Sequence, residues 1–240
     1  MYRQLPHIIT LTNLFCGCCA LLFIFHHQYP QAFFFVLWGA IADFADGLVA
    51  RMLDVKTALG RELDSLADMI TFGMVPGAML YMLLADSMES DGLEGAGITI
   101  AALPAFLVTL AAAYRLAKFN LDTRQTEGFI GLPTPSCTIF VVGLLMIYEF
   151  DSFGLREFIT KPLFLYPVIL VLSYLLIAEL PMFSLKFKHA NWKGNEPRFI
   201  FLGLTLLLLL SIRELTFSVI IVLYVLFSIF NHVRARQFPT

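Results

Sequence analysis

Four aspartates, Asp43, Asp46, Asp64 and Asp68, stand in stretches that are otherwise largely apolar. Asp43 and Asp46 are three residues apart, and Asp64 and Asp68 are four apart. On helices these intervals put each pair on a single stripe, with Gly47 and Ala50 continuing the first. An antiparallel hairpin of the two helices sets Asp43 opposite Asp68, Asp46 opposite Asp64 and Ala50 opposite Gly60. The carboxylates then meet in one layer, and Ala50 against Gly60 is expected to let the two backbones approach closely. Four convergent carboxylates cannot all ionise without a cation. Oxygen donors with no His or Cys beside them suit a hard divalent ion, Mg²⁺ or Mn²⁺, and four are enough to hold two ions. Metal-assisted phosphoryl chemistry is what such a group can do.

The elements that must carry these residues belong in a bilayer. Of 240 residues, 59% are hydrophobic and 14% charged, and the mean hydropathy is +0.80. Apolar stretches recur from residue 8 to residue 230, which excludes a single leader segment as their explanation. A charged Asp at the centre of a membrane helix costs about 2.5 to 3.5 kcal/mol, so four cost on the order of 10 kcal/mol and call for a function. Charge, Gly and Pro divide the chain into about eight spans, near 8–26, 32–53, 58–84, 96–118, 133–149, 162–179, 199–212 and 215–231. With no repeat and no long linker, residues 1–240 are expected to form one all-α, polytopic transmembrane domain.

Assigning loops to alternate sides gathers all sixteen Lys and Arg residues on one side except Arg156, Lys161 and Arg213. By the positive-inside rule, both termini and the 51–61 loop are expected in the cytoplasm of a cell with this protein in its inner membrane. Asp86, Glu89, Asp91 and Glu94 then face outward. A net charge of −2 gives no reason to expect nucleic acid, and the basic 186–198 segment reads as a contact for anionic lipid. Cys16, Cys18, Cys19 and Cys137 form no CxxC pair and read as small packing residues.

Written out, the acidic region is Asp43-x2-Asp46-Gly47-x2-Ala50-Arg51-x8-Gly60-x3-Asp64-x3-Asp68. This resembles the signature of the CDP-alcohol phosphatidyltransferase family with every fixed position filled, which eight residues at fixed spacing make highly specific. Stretches 6–17, 63–76, 115–120 and 131–135 further resemble the phosphatidylserine synthase branch, with His7, Lys118 and Thr71 where that branch commonly has Asn, Arg and Ser. The resemblance implies a membrane bundle with six core helices, commonly a homodimer. It also implies transfer of a phosphatidyl group from CDP-diacylglycerol to an alcohol, most favourably serine, with glycerol 3-phosphate, inositol phosphate or choline as alternatives. Carried over, Asp43, Asp46, Asp64 and Asp68 bind two metal ions, and Asp68 is also the general base. Gly47, Ala50, Arg51 and Gly60, together with Asp43 and Asp64, embrace the nucleotide.

Other polar residues are read beside these. Thr10 and Asn13 lie within the first span, where nucleotide contact and interhelical hydrogen bonding are both open. Arg115, Lys118 and Asn120 end the fourth span near the cleft mouth, suited to the lipid phosphate or the carboxylate of serine, or to anchoring at the interface. A phosphorylated acceptor should require more cations than Arg115 and Lys118 supply, which favours a small zwitterion. An intramembrane prenyltransferase has different Asp spacing, and a transporter gives no reason for Ala50, Arg51 and Gly60 at these intervals.

The charge bias makes a topological prediction. In a background freed of the native cysteines, Lys56→Cys should react with an impermeant thiol reagent only once the cytoplasmic face is opened. Labelling of intact cells would reverse the orientation.

Overall fold

In the computed structural model, residues 4–55, 57–90, 97–121, 129–182 and 196–237 are described. Lys56, Asp91, Glu94, Arg124, Lys186, Lys188 and Lys193 lie outside the described residues, as do the side chains of Glu89, Arg198, Arg234 and Arg236. Helices fill almost all of the described chain. Its one strand pairing joins Phe129–Ile130 (β1) to Pro181–Met182 (β2), antiparallel. The protein is an all-α polytopic membrane bundle.

Each expected span is met by a helical segment. Helix α1 covers Leu5–Phe25 and α2 covers Tyr29–Met52. Pro6 and Pro30 occupy their first turns, where a missing N–H costs no hydrogen bond. His27, at φ 53°, makes the tight reversal between them. Helix α3 (Ala58–Asp68) opens on Thr57, whose hydroxyl accepts the Gly60 N–H at 3.0 Å. A π-helical turn, Met69–Met74, joins it to α4 (Val75–Ser90). The fourth span starts as a 3₁₀ segment, Ile100–Phe106, containing Pro104, and continues as α5, Leu107–Leu121. Then follow α6 (Thr134–Phe150), the short α7 (Arg156–Thr160), α8 (Pro162–Ile177), α9 (Glu196–Ile212) and α10 (Leu215–Gln237). Arg213, at φ 48°, separates the last two.

By length and composition, Leu5–Phe25, Tyr29–Met52, Ala58–Met88 and Ile100–Leu121 can each cross a membrane, and four shorter apolar helices follow. Leu and Phe side chains on the outside, such as Phe15, Phe44, Leu110 and Leu163, remain exposed, as lipid-facing residues should. The core sits around α4 and α6, where Met79, Leu80, Leu83, Leu145 and Ile147 are fully buried.

Helix α1 is the principal neighbour of α2 and also packs on α3, the π-helical turn and α4. Helix α2 touches the π-helical turn, but toward the connecting loop α2 and α3 part, leaving a wedge floored by α1. The expected seam of Ala50 against Gly60 is therefore absent. The closest side chain from another helix at Gly60 is His7 of α1, and Ala50 and Gly60 face a shared cleft. Small residues here clear space rather than bring backbones together.

The π-helical turn is held from three sides. Thr138 of α6 donates to the Phe72 carbonyl at 3.2 Å, and Thr109 of α5 donates to the Gly73 carbonyl at 2.9 Å. Thr71 itself donates to the Asn13 carbonyl of α1 at 3.1 Å. A widened turn releases backbone groups from the regular ladder, and hydroxyls from neighbouring helices satisfy them where no water reaches.

Polar contacts collect at the two ends of the bundle. At one, Tyr29 donates to Asp86 at 2.9 Å beside His27, and Ser152 donates to Glu214 at 3.0 Å. At the other, Asn120 donates to Ser65 at 2.8 Å, and Lys118 pairs with Glu179 at 2.9 Å. Near this second end Gly131 takes φ 76°, with its N–H on the Leu180 carbonyl at 2.8 Å and the Leu132 N–H on the Leu175 carbonyl at 2.8 Å.

A Cβ at Gly131 would lie 2.9 Å from the carbonyl oxygens of Leu176 and Ala178. Gly131→Ala should therefore destabilise the protein by about 2 kcal/mol or more, through left-handed strain plus the clash. Thermal melting of the detergent-solubilised protein measures this, and an unchanged melt would contradict it.

Candidate active site

The sequence-predicted carboxylates do converge, though not as one uniform layer. Asp43 from α2 and Asp64 and Asp68 from α3 each present a carboxylate oxygen within 4.8 Å of the others. Asp46, one turn along α2, is 6% exposed and is not among the carboxylates that lie within 4.8 Å of one another. It accepts a short hydrogen bond from the Thr10 hydroxyl of α1.

Beside the trio lies a cleft of about 240 Å³. Thr10, Asp46, Gly47, Ala50, Gly60 and Asp64 line it, so six of the residues singled out in the sequence share one cavity. Asp64 belongs to both cleft and trio. Gly47 is in open space: a Cβ there would meet nothing within 4 Å. Packing therefore does not account for a glycine at this position.

Other predicted residues fall elsewhere. Asn13 is fully buried beneath the cleft and donates to Asp68 Oδ1 at 3.3 Å. Arg51 is exposed and turns back on its own helix, its Nε donating to the Gly47 carbonyl at 2.9 Å. Asn120 ties the end of α5 to Ser65, next to Asp64. Arg115 is 7% exposed, its guanidinium 5.9 Å from the Phe119 ring centroid and within the electrostatic influence of Asp68. Its Nε has no hydrogen-bond partner. Lys118 and Arg115 border a separate, much smaller cavity of about 20 Å³, where Lys118 is engaged by Glu179.

Several cleft residues were given no site role in the sequence reading: Pro6, Val55, Thr57 and Arg61, and His7, which was noted only as a departure from the branch pattern. Arg61 follows Gly60 directly, so its place in the acidic motif was an available signal. His7 and Thr57 come from different helical segments and meet only in the fold, their side chains 3.5 Å apart. Glu179 carried no signal, since its role depends on the end of α8 reaching Lys118.

The donor set of the trio is entirely carboxylate oxygen, which fits a hard divalent cation. Among the described residues no Lys, Arg or His forms a salt bridge with Asp43, Asp64 or Asp68. Three carboxylates gathered without a basic partner hold a place that a cation can take.

Comparison with known proteins bears on the same region. Residues 3–178 match the family model described as CDP-alcohol phosphatidyltransferase. That match ends just after α8, so α9 and α10 lie beyond it. The CDP-diacylglycerol–serine O-phosphatidyltransferase of Bacillus subtilis is 31% identical over 188 residues, covering 78% of this chain and 94% of its own. The Helicobacter pylori protein of the same name is 30% identical over 227 residues, 93% of this chain and 89% of its own. One from Saccharomyces cerevisiae is 32% identical over 161 residues, 60% of this chain and 54% of its own. With a match over most of its length and the acidic motif folded around a single cleft, the chain belongs to the CDP-alcohol phosphatidyltransferase family.

Proposed function

We propose that this protein transfers the phosphatidyl group of CDP-diacylglycerol to the hydroxyl of L-serine, giving phosphatidylserine and CMP. The observation that carries the reading is the shared position of Asp64, at once in a three-carboxylate cluster and in the wall of a cleft kept open by Gly47. Serine as the acceptor is supported by the names of the relatives, which align over most of this chain.

Asp43, Asp64 and Asp68 would hold Mg²⁺ or Mn²⁺, with Asp46 able to extend the set to two ions. Bound there, the metal would screen the diphosphate and stabilise the leaving phosphate of CMP. The nucleotide would occupy the cleft against Thr10, Gly47, Ala50 and Gly60, with Arg51 at its rim. In an in-line displacement the serine oxygen bonds to the lipid-side phosphorus while the bond to the CMP oxygen breaks. Asp68, at the inner end of the motif, accepts the hydroxyl proton late, once attack has acidified it. Arg115, whose buried Nε has no hydrogen-bond partner, would take the serine carboxylate. Lys118 and Asn120, already bound to Glu179 and Ser65, would shape that subsite from outside.

The same reading sets the bundle across the cell membrane with its cleft and termini cytoplasmic. The Lys and Arg bias supports it, and so does the clustering of Arg51, Arg61 and Lys118 at the cleft end while Arg156 lies near Tyr148 at the other. A homodimer is the assembly that the family suggests.

The test incubates purified protein with CDP-diacylglycerol, Mg²⁺ or Mn²⁺, and a panel of alcohols, and follows CMP release. Serine should be the acceptor used, and EDTA should abolish turnover. Release with another alcohol but not serine would move the acceptor assignment, and full activity in EDTA would remove the metal.

Gly47 offers a sharper check on the cleft. Because a Cβ there touches nothing, Gly47→Ala should leave the melt unchanged or raise stability by up to about 1 kcal/mol through helix propensity. The same variant should raise the KM for CDP-diacylglycerol about tenfold or more if the nucleotide packs against that surface. Unaltered kinetics would place the nucleotide elsewhere.

A further inference from the structure

Asn13 is an unusual residue to find where it lies. Its side chain is fully buried, below the cleft and away from its wall. Nδ2 donates to Asp68 Oδ1 at 3.3 Å, while Oδ1 has no hydrogen-bond partner. A buried amide with one acceptor left unmet is poorly suited to packing alone, since an apolar side chain of the same size would fill the space without that penalty.

The surroundings hold this amide in place. A Cβ at Gly39 of α2 would come within 3.1 Å of Asn13 Oδ1 and 3.0 Å of Thr71 Cγ2. A Cβ at Gly17 of α1 would press on the Thr71 hydroxyl, which donates to the Asn13 carbonyl. Two glycines thus clear the volume in which the amide and its clamp sit. Asn13 is therefore linked to Asp68 twice, by its side chain to the carboxylate and by its carbonyl to the turn that follows.

From this we infer that Asn13 is a positioning residue for Asp68. By donating to Oδ1 it fixes the rotation of the carboxylate and leaves Oδ2 to serve the cluster with Asp43 and Asp64. Asp68 ends α3 just before the widened turn, and α1 supplies the amide that bonds to it. The role rests on the part given to Asp68 under the proposed function, and it gives Asn13 no contact with substrate.

Asn13→Leu, close in size but without a donor, and Asn13→Ser, smaller with a hydroxyl donor, test it. Four quantities are measured: the melting temperature, Mn²⁺ affinity by calorimetry without substrate, kcat, and the KM for CDP-diacylglycerol. Asn13→Leu should melt no lower than the parent and keep its KM within about twofold, yet lose about tenfold or more in kcat and in Mn²⁺ affinity. Asn13→Ser should recover part of both. Parent-like kcat and Mn²⁺ affinity in Asn13→Leu would overturn the assignment. So would losses that follow a lowered melting temperature with no recovery in Asn13→Ser, which would make Asn13 a packing residue. Asp68→Asn, measured in parallel, tests the underlying reading separately. Parent-like turnover there would remove Asp68 from the reaction, while the Mn²⁺ affinity of Asn13→Leu would still report on the hydrogen bond.

Discussion

The π-helical turn at Met69–Met74 is the constraint on which the rest of this architecture depends. It follows Asp68 directly and is fixed by hydroxyls reaching in from α5 and α6 and by its own Thr71 reaching out to α1. In lipid, where helices gain little from hydrophobic contact with each other, such hydrogen bonds and close small-residue packing are what hold a bundle in register. Fixing this turn fixes the rotation of α3 relative to α4, and with it the direction in which Asp64 and Asp68 project. The turn couples the carboxylates to three helices that carry none of them.

Helix α1 has a corresponding role on the other side. It contributes none of the four acidic residues, yet it floors the wedge between α2 and α3 and bonds to an aspartate of each, through Thr10 to Asp46 and Asn13 to Asp68. The parting of α2 and α3 creates the cleft, and the small residues Gly47, Ala50 and Gly60 keep it open. Had these residues formed a helix seam, the backbones would have closed over this volume. The carboxylate cluster and the cleft are consequently adjacent but distinct, joined at Asp64.

Burial also has an inverted meaning in this protein. Large apolar side chains face outward in number, whereas Thr10, Asn13, Asp46, Thr71 and Arg115 lie inside. In water that arrangement would be untenable; in a bilayer the interior of the bundle is the one place where polar groups find partners. Most of those inside do; Asn13 Oδ1 and Arg115 Nε, near Asp68, are without a partner, as are His7 Nδ1, Ser173 Oγ and Thr216 Oγ1 in other parts of the bundle.

The sequence by itself determined the membrane class, the helical segments and the set of residues that converge. Hydropathy marks where helices must run, because a spanning backbone has to satisfy its own hydrogen bonds, and the intervals of Asp43, Asp46, Asp64 and Asp68 fix their faces by helix geometry alone. The acidic motif was legible for the same reason: it is local, lying within two consecutive helices. Only the tertiary structure decided what depends on distant segments meeting. It left Asp46 outside the closest group of carboxylates, placed Ala50 and Gly60 across a cleft instead of in contact, engaged Lys118 with Glu179, and set Asn13 against Asp68 rather than in the cleft wall. The physical reason is that α1, not the neighbouring motif helix, packs against both α2 and α3, and no periodicity within a helix reveals which other helix will fill its groove.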